Sequence, residues 1–217
     1  MSEGRTRSRN AGRPHGADRT SVHDDLLAAL REALRDKLHF EITIKEVADR
    51  AGTSPEMVRY YFGGKDGLIM ALLRQIGDRF VKRMDALDAR LLDPDKSPIR
   101  QILEELLCFY VDERHITRVS MAEFQKGKSR IHEDYLSNRS ELVIARIHAM
   151  LGRLVEAGLY DQAMDQRRMA MTLLSMVAGP VNFLSVFTDK WVSPEELTNG
   201  ETAGLLADMI DAKYRRV

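Results

Sequence analysis

The residues with the clearest chemistry lie between Thr43 and Lys65. Arg59 and Tyr60 follow Pro55 and Glu56 in a short segment where Val58 and Phe62 stand four apart. That spacing turns Val58 and Phe62 to one side of a helix, and Pro55, Glu56, Arg59 and Tyr60 to the other. An arginine presented this way can donate two hydrogen bonds to O6 and N7 of guanine. Tyrosine hydroxyls and a capped helix start can reach phosphate oxygens. Glu56 is unusual on such a face: it can accept from a cytosine amino group or orient Arg59.

Short local signals must position these groups. Thr43-Ile44-Lys45-Glu46 reads as a capping box, with the threonine hydroxyl on the backbone and the glutamate reaching back. Ala51-Gly52 stops that helix, with Gly52 suited to a left-handed position. Ser54-Pro55 opens the next helix as N-cap and first residue. Gly63-Gly64 closes it after Phe62. Ile44, Val47, Ala48 and Ala51 face inward on the first helix. Two short helices across a tight glycine-containing turn have the layout of a helix-turn-helix. The same spacing also describes two helices packed in a bundle, and the block alone leaves both open.

The block from Thr43 to Phe62 and its sequel Gly63-Gly64-Lys65-Asp66-Gly67-Leu68 resemble the DNA-binding domain of the TetR/AcrR family of bacterial regulators. The matching positions are Thr43, Glu46-Val47-Ala48, Ala51-Gly52, Ser54, Tyr61-Phe62, Lys65, Asp66 and Leu68, and the likeness covers roughly residues 20–70. The resemblance implies that Thr43, Tyr61 and Lys65 contact phosphates of double-stranded DNA. It implies that Pro55, Glu56, Met57, Arg59 and Tyr60, behind the N-cap Ser54, face base edges or nearby backbone. Glu56 stands where the family commonly has glycine and Arg59 where it has tyrosine, which leaves the operator sequence open. The family further implies a homodimer built on the last two long helices, here near residues 163–187 and 201–214, and the single cysteine fits a reducing cytoplasm. Two-fold symmetry then calls for a near-palindromic operator. A repressor released by a small-molecule inducer is the family norm, and such coupling between two sites is reciprocal. A related DNA-binding protein without an inducer fits the same N-terminal block.

Composition sets the frame. Lys+Arg and Asp+Glu are equal at 33 each, so any attraction to nucleic acid must come from local placement of charge. Residues 1–18 read as a flexible basic arm, with Arg5, Arg7, Arg9 and Arg13 against Glu3 and Asp18. Those arginines can enter a minor groove or simply trail in solvent. The N-terminus has no apolar run of the kind a signal peptide needs. The single cysteine, Cys108, excludes an intramolecular disulfide, and its apolar surroundings favour an inert buried thiol over a redox sensor. Six histidines show no metal-ligand spacing, and no GxSxG, P-loop or GxGxxG occurs, so neither an enzyme nor a metal or other cofactor is expected.

Apolar periodicity predicts helices along the rest of the chain, and the fold class is all-α. Val22, Leu26, Leu30, Leu34 and Leu38 mark the first helix. Ile69 to Leu87 form a long stripe that Asp93-Pro94 should end, and Ser97-Pro98 starts the next helix. Others are expected near 116–126, 128–157 and 163–187, with a Ser193-Pro194-Glu195-Glu196 capping box and a last helix carrying Leu205 to Ile210. The uncharged stretch from Met169 to Phe187 reads as a core or interface helix, not a membrane span. It carries Thr172, Ser175, Asn182 and Ser185, and Gly179-Pro180 should interrupt it. The expected organisation is an arm (1–18), a three-helix helix-turn-helix domain (19–66) and a larger ligand-binding and dimerisation domain (67–217), with about nine helices in all. Candidate pocket residues are Tyr110, His115, Met121, Phe124, His148, Asn182 and Phe183, which mix polar groups with bulky apolar ones. Eleven methionines suit an adaptable interior.

Overall fold

A computed structural model describes residues 16–91, 97–126, 129, 131, 133, 137–186 and 193–216. The all-α expectation holds: these residues form ten helices and no strand. Arg5, Arg7, Arg9 and Arg13 of the expected arm lie outside the described residues. Its last residues, Gly16–Asp18, already belong to the first helix.

The leucines spaced every fourth residue wind into α1 (Gly16–Asp36), which buries Leu26, Leu30 and Leu34. The short helices α2 (Ile44–Arg50) and α3 (Pro55–Phe62) follow, and they bury Val47, Ala48 and Val58 against α1 and against each other. Helix α4 (Lys65–Asp88) then runs out of this group into the rest of the molecule, packing on α1 and α3 at its start and on α5 and α7 further along. Its stripe from Leu68 to Leu87 is continuously buried, so one helix serves both halves of the core. It ends at Asp88, one turn before the buried Leu91 and earlier than the expected stop at Asp93-Pro94.

Helix α5 (Pro98–Asp112) starts where Ser97 Oγ accepts from the backbone N–H of Arg100, at 3.1 Å. It is apolar on most sides because it sits in the middle, against α4, α6 (Arg114–Lys126), α8 (Gln166–Val186), α9 (Pro194–Thr198) and α10 (Glu201–Tyr214). Helix α7 (Ser137–Glu156) packs along α8, and most of residues 127–136 ahead of it lie outside the described residues. The expected break at Gly179-Pro180 is absent: α8 continues through Pro180 to Val186. Val177 and Val181 are buried on either side, so packing carries the helix past the missing N–H donor. The Ser193 capping box forms in full, with Ser193 Oγ accepting from Glu196 and the Glu196 carboxylate accepting from the Ser193 N–H. Tyr160 closes the far end: its buried hydroxyl donates to Asp211 of α10 at 2.6 Å and accepts from the Ile99 N–H at 3.4 Å.

Among the described residues, no helix is long and apolar enough to cross a membrane, and no group of histidine, cysteine and carboxylate side chains is placed to hold a metal ion.

Candidate nucleic-acid interface and ligand cavity

Thr43 caps α2 as its sequence requires, its Oγ1 accepting from the Glu46 N–H at 3.1 Å. The reciprocal half of the capping box is absent. Glu46 turns instead to Lys37 Nζ at 2.9 Å and to Arg50 at 3.3 Å, because two cations outcompete one backbone donor. The Lys37 bond holds the Glu46 carboxyl below the usual carboxylate range. Three backbone bonds fold the turn: Ala51 N–H to Val47, Gly52 to Asp49 and Thr53 to Ala48. Gly52 sits at φ 63°, where L side chains are strained. Ser54 then caps α3 with extended backbone, but its hydroxyl makes no cap bond. That hydroxyl is engaged with Glu56, and it holds the Glu56 carboxyl low.

The outer face of α3 is arranged as its spacing predicts. Val58 is buried, Phe62 is half-buried, and Glu56, Arg59 and Tyr60 are exposed, Tyr60 by 62%. Arg59 lies 3.9 Å from Glu56, with both side chains largely in solvent. Thr43 and Ser54 are exposed beside them, and Pro55 and Met57 are half-buried. Two expected contact residues, Tyr61 and Lys65, are half-buried. Tyr61 keeps its hydroxyl buried, without a hydrogen-bond partner among the described residues, its ring edge-on to His23 and Tyr60. As placed it packs the head, because an aromatic ring beside Phe62 gains more from burial than from solvent. Lys65 is half-buried and donates to the Phe40 carbonyl at 3.4 Å, and that burial lowers its pKa.

One residue matters more than its type suggests. A Cβ on Gly67 would stand 1.8 Å from the carbonyl oxygen of Phe62. The end of α3 and the start of α4 can therefore meet only over a glycine, which sets the angle at which α3 is presented.

Two buried carboxylates tie this head to the remainder. Glu123 of α6 lies 2.5 Å from His39, in the connection after α1, and accepts from Lys126 at 2.9 Å. Burial pushes the His39 ring toward its neutral form, although Glu123 opposes this. Glu113, at the end of α5, accepts from Arg31 of α1 at 2.8 and 2.6 Å and from Arg79 of α4. Its residue is only 6% exposed.

Glu113 also faces a partly open cavity of about 310 Å³ lined by residues of α4 to α8. Phe80, Phe109 and Tyr110, whose rings contact in sequence, line it together with Thr117 and Ser120 of α6. Of the expected pocket residues, Tyr110, Met121 and Asn182 line this cavity. His148 does not: it is exposed on α7, whose cavity side is carried by Val143 and Ile144. His115 is buried but off the cavity wall, 3.9 Å from Glu113, and burial holds its pKa near 4. The side chains of Phe124 and Phe183 lie outside the described residues. Cys108 is half-buried, and burial pushes its thiol up, away from the reactive thiolate. Sequence reasoning missed Glu113, Glu123 and Gly67. A glutamate in a run of charged residues reads as solvated surface until its distant partners are known.

No family model matches the chain. Among curated proteins, an 83-residue stretch is 35% identical to the HTH-type transcriptional regulator BetI 1 of Chromohalobacter salexigens, covering 36% of this chain and 39% of that protein. A 52-residue stretch is 35% identical to the HTH-type transcriptional regulator BetI of Brucella anthropi, covering 24% and 27%. The chain thus spans well under half the length of the curated relatives it matches. Solved structures align over nearly the whole chain. A TetR transcription regulator from Haloarcula marismortui superposes with TM-score 0.70 at 23% identity, over 88% of this chain and 98% of that one. The transcriptional regulator FadR of Bacillus subtilis, in complex with stearoyl-CoA, gives 0.71 at 14% identity, over 85% and 97%. A SmeT–triclosan complex gives 0.65 at 19% identity, over 90% and 92%. The chain has the fold of the TetR-family regulators, and the resemblance carried by Thr43 to Leu68 holds at the level of that fold.

Proposed function

We propose that this chain, with its TetR-family fold, is a sequence-specific DNA-binding transcriptional regulator, a repressor released from a near-palindromic operator by a small-molecule inducer. The observation that carries the reading is the α3 face. Glu56, Arg59 and Tyr60 stand exposed on a short helix whose angle is set by the Gly52 turn and the Gly67 contact. Exposed arginine and tyrosine along the outer face of a short capped helix suit a major groove. Thr43 and Ser54 are exposed nearby and can reach phosphates. Residues 19–66 serve as the DNA-binding unit and 67–217 as the ligand-binding and dimerisation unit. Met171 on α8, and Leu205 and Met209 on α10, are large apolar side chains left 49%, 67% and 63% exposed. They support a homodimer through those two helices. The cavity supports an inducer site, at the lower end of the range of ligand pockets, roughly 300–1,000 Å³. The chain acts by binding, in the cytoplasm with the DNA, and turns over no substrate.

The test is footprinting of the full-length chain on the DNA upstream of its own gene, at fixed salt. The expected result is one protected near-palindrome, with Arg59→Ala costing about 1–3 kcal/mol of specific affinity, roughly tenfold to a hundredfold. Binding indifferent to both sequence and Arg59→Ala would refute direct readout and leave a non-specific DNA-binding protein.

A further inference from the structure

The cavity wall is not electrically neutral. Among its described lining residues, Glu113 is the only charged one. The guanidinium groups that pair with it, Arg31 and Arg79, are not on the wall. A molecule inside the cavity therefore meets the negative end of the ion pair first. Because Glu113 is almost fully buried, its charge is poorly screened by water. Phe80 and Phe109 stand edge-to-face on the same wall with centroids 4.9 Å apart, and Tyr110 follows them. Aromatic faces attract cations, most strongly where water is excluded. The remaining polar groups, Thr117, Ser120 and Asn182, are neutral. No described lining residue offers a positive charge to a carboxylate or phosphate.

We propose that the cavity takes an organic cation, a protonated amine on an aromatic or similarly apolar body, whose ammonium group exchanges with Arg31 for the carboxylate of Glu113. This rests on the reading of the cavity as the inducer site. It adds the chemical class of the ligand and the contact through which it acts. Arg31 belongs to α1, which packs on α2 of the helix-turn-helix. Both Glu113 oxygens are taken by one Arg31 nitrogen, and its other terminal nitrogen is buried with no acceptor. Once the ligand holds Glu113, Arg31 has no second partner in place among the described residues. The Arg31 side chain is only 21% exposed, so losing its carboxylate favours a shift of α1 that opens it further to water. A carboxylate ligand would enter against the charge of Glu113, and a neutral one would leave the ion pair unchallenged.

The test compares tryptamine, tryptophol and indole-3-acetate, which share one ring system and differ in charge. Calorimetry on the full-length chain at neutral pH, without DNA, reads the cavity alone. Tryptamine is expected to bind at least about tenfold tighter than tryptophol, a difference of about 1.4 kcal/mol, and indole-3-acetate most weakly. Glu113→Gln should erase the preference for the cation, while His148→Ala on the exposed side of α7 should not. The charge series on the unaltered chain decides the ligand class even if Glu113→Gln fails to fold. Equal binding of all three, preference for the anion, or no tryptamine binding at millimolar concentration would overturn the proposal. Footprinting with and without tryptamine reads the coupling: loss of protection supports exchange with Arg31, and unchanged protection overturns it. If tryptamine binds as expected but no footprint forms under any condition, the DNA-binding reading fails and the ligand class stands.

Discussion

The helix-turn-helix head and the cavity-bearing body are built from the same kind of helix but held together differently. In the head, the contacts that place the reading face are close in sequence: Thr43 to Glu46, Lys37 to Glu46, and Lys65 to the Phe40 carbonyl, the last spanning 25 residues. In the body, the cavity carboxylate Glu113 is held by Arg79 from 34 residues away and by Arg31 from 82. A unit organised by neighbours can be a rigid reading device. A unit organised by distant polar ties on a cavity wall can respond to what enters the cavity. The ties that cross between them, Glu113 to Arg31 and Glu123 to His39, both rest on buried carboxylates, so disturbing either is costly.

Breaking the junction should have the largest effect. Gly67→Ala drives a methyl group into the Phe62 carbonyl. It should cost at least about 3 kcal/mol in chemical denaturation and abolish specific DNA binding, because the head can no longer dock on α4. Wild-type stability in this variant would mean that α3 meets α4 at another angle.

Acid should separate the two regions next. His115 is kept neutral by burial with its pKa near 4; Glu113 pulls that value up, and Arg31, Arg35 and Arg114 press it down. The unfolded chain takes up the proton at about 6.5, so stability is intact above that pH and is lost as pH falls toward 4. The loss should reach up to about 3 kcal/mol. Denaturation at a series of pH values should show this slope in the wild type and a flatter one in His115→Phe. Equal slopes would assign the acid sensitivity to another group.

A smaller effect is expected at Tyr160. Tyr160→Phe leaves Asp211 and the Ile99 N–H without their shared hydroxyl, and should cost about 1–2 kcal/mol of stability while leaving DNA affinity unchanged. Thr43→Ala, which removes one cap bond, should cost about 1 kcal/mol and mainly weaken DNA binding. A Thr43→Ala variant that bound DNA normally would show that α2 is held by packing alone.

The exposed face of α3 was legible in the sequence because each signal for it is local. Period four places Val58 inside and Arg59 outside, Ser54-Pro55 opens a helix, and Gly52 permits the turn. The same holds for the Ser193 capping box and for most helix starts. Legibility failed where a local rule met a stronger distant or competing partner. Glu46 satisfies the capping-box pattern but goes to Lys37 and Arg50. Pro180 should break α8, yet buried valines on both sides hold the helix together. His148 looks like a pocket residue by type, but its place on α7 turns it to solvent.

The sequence by itself therefore determined the helices, their caps and the exposed arginine and tyrosine of α3, since these depend on periods and neighbours that the chain carries locally. Only the tertiary structure decided that Gly67 must be glycine, that Tyr61 packs inward, and that Glu113 joins the cavity to α1. Those outcomes depend on which helices pack together, and a charge or a missing Cβ has no meaning until its distant partner has been brought beside it.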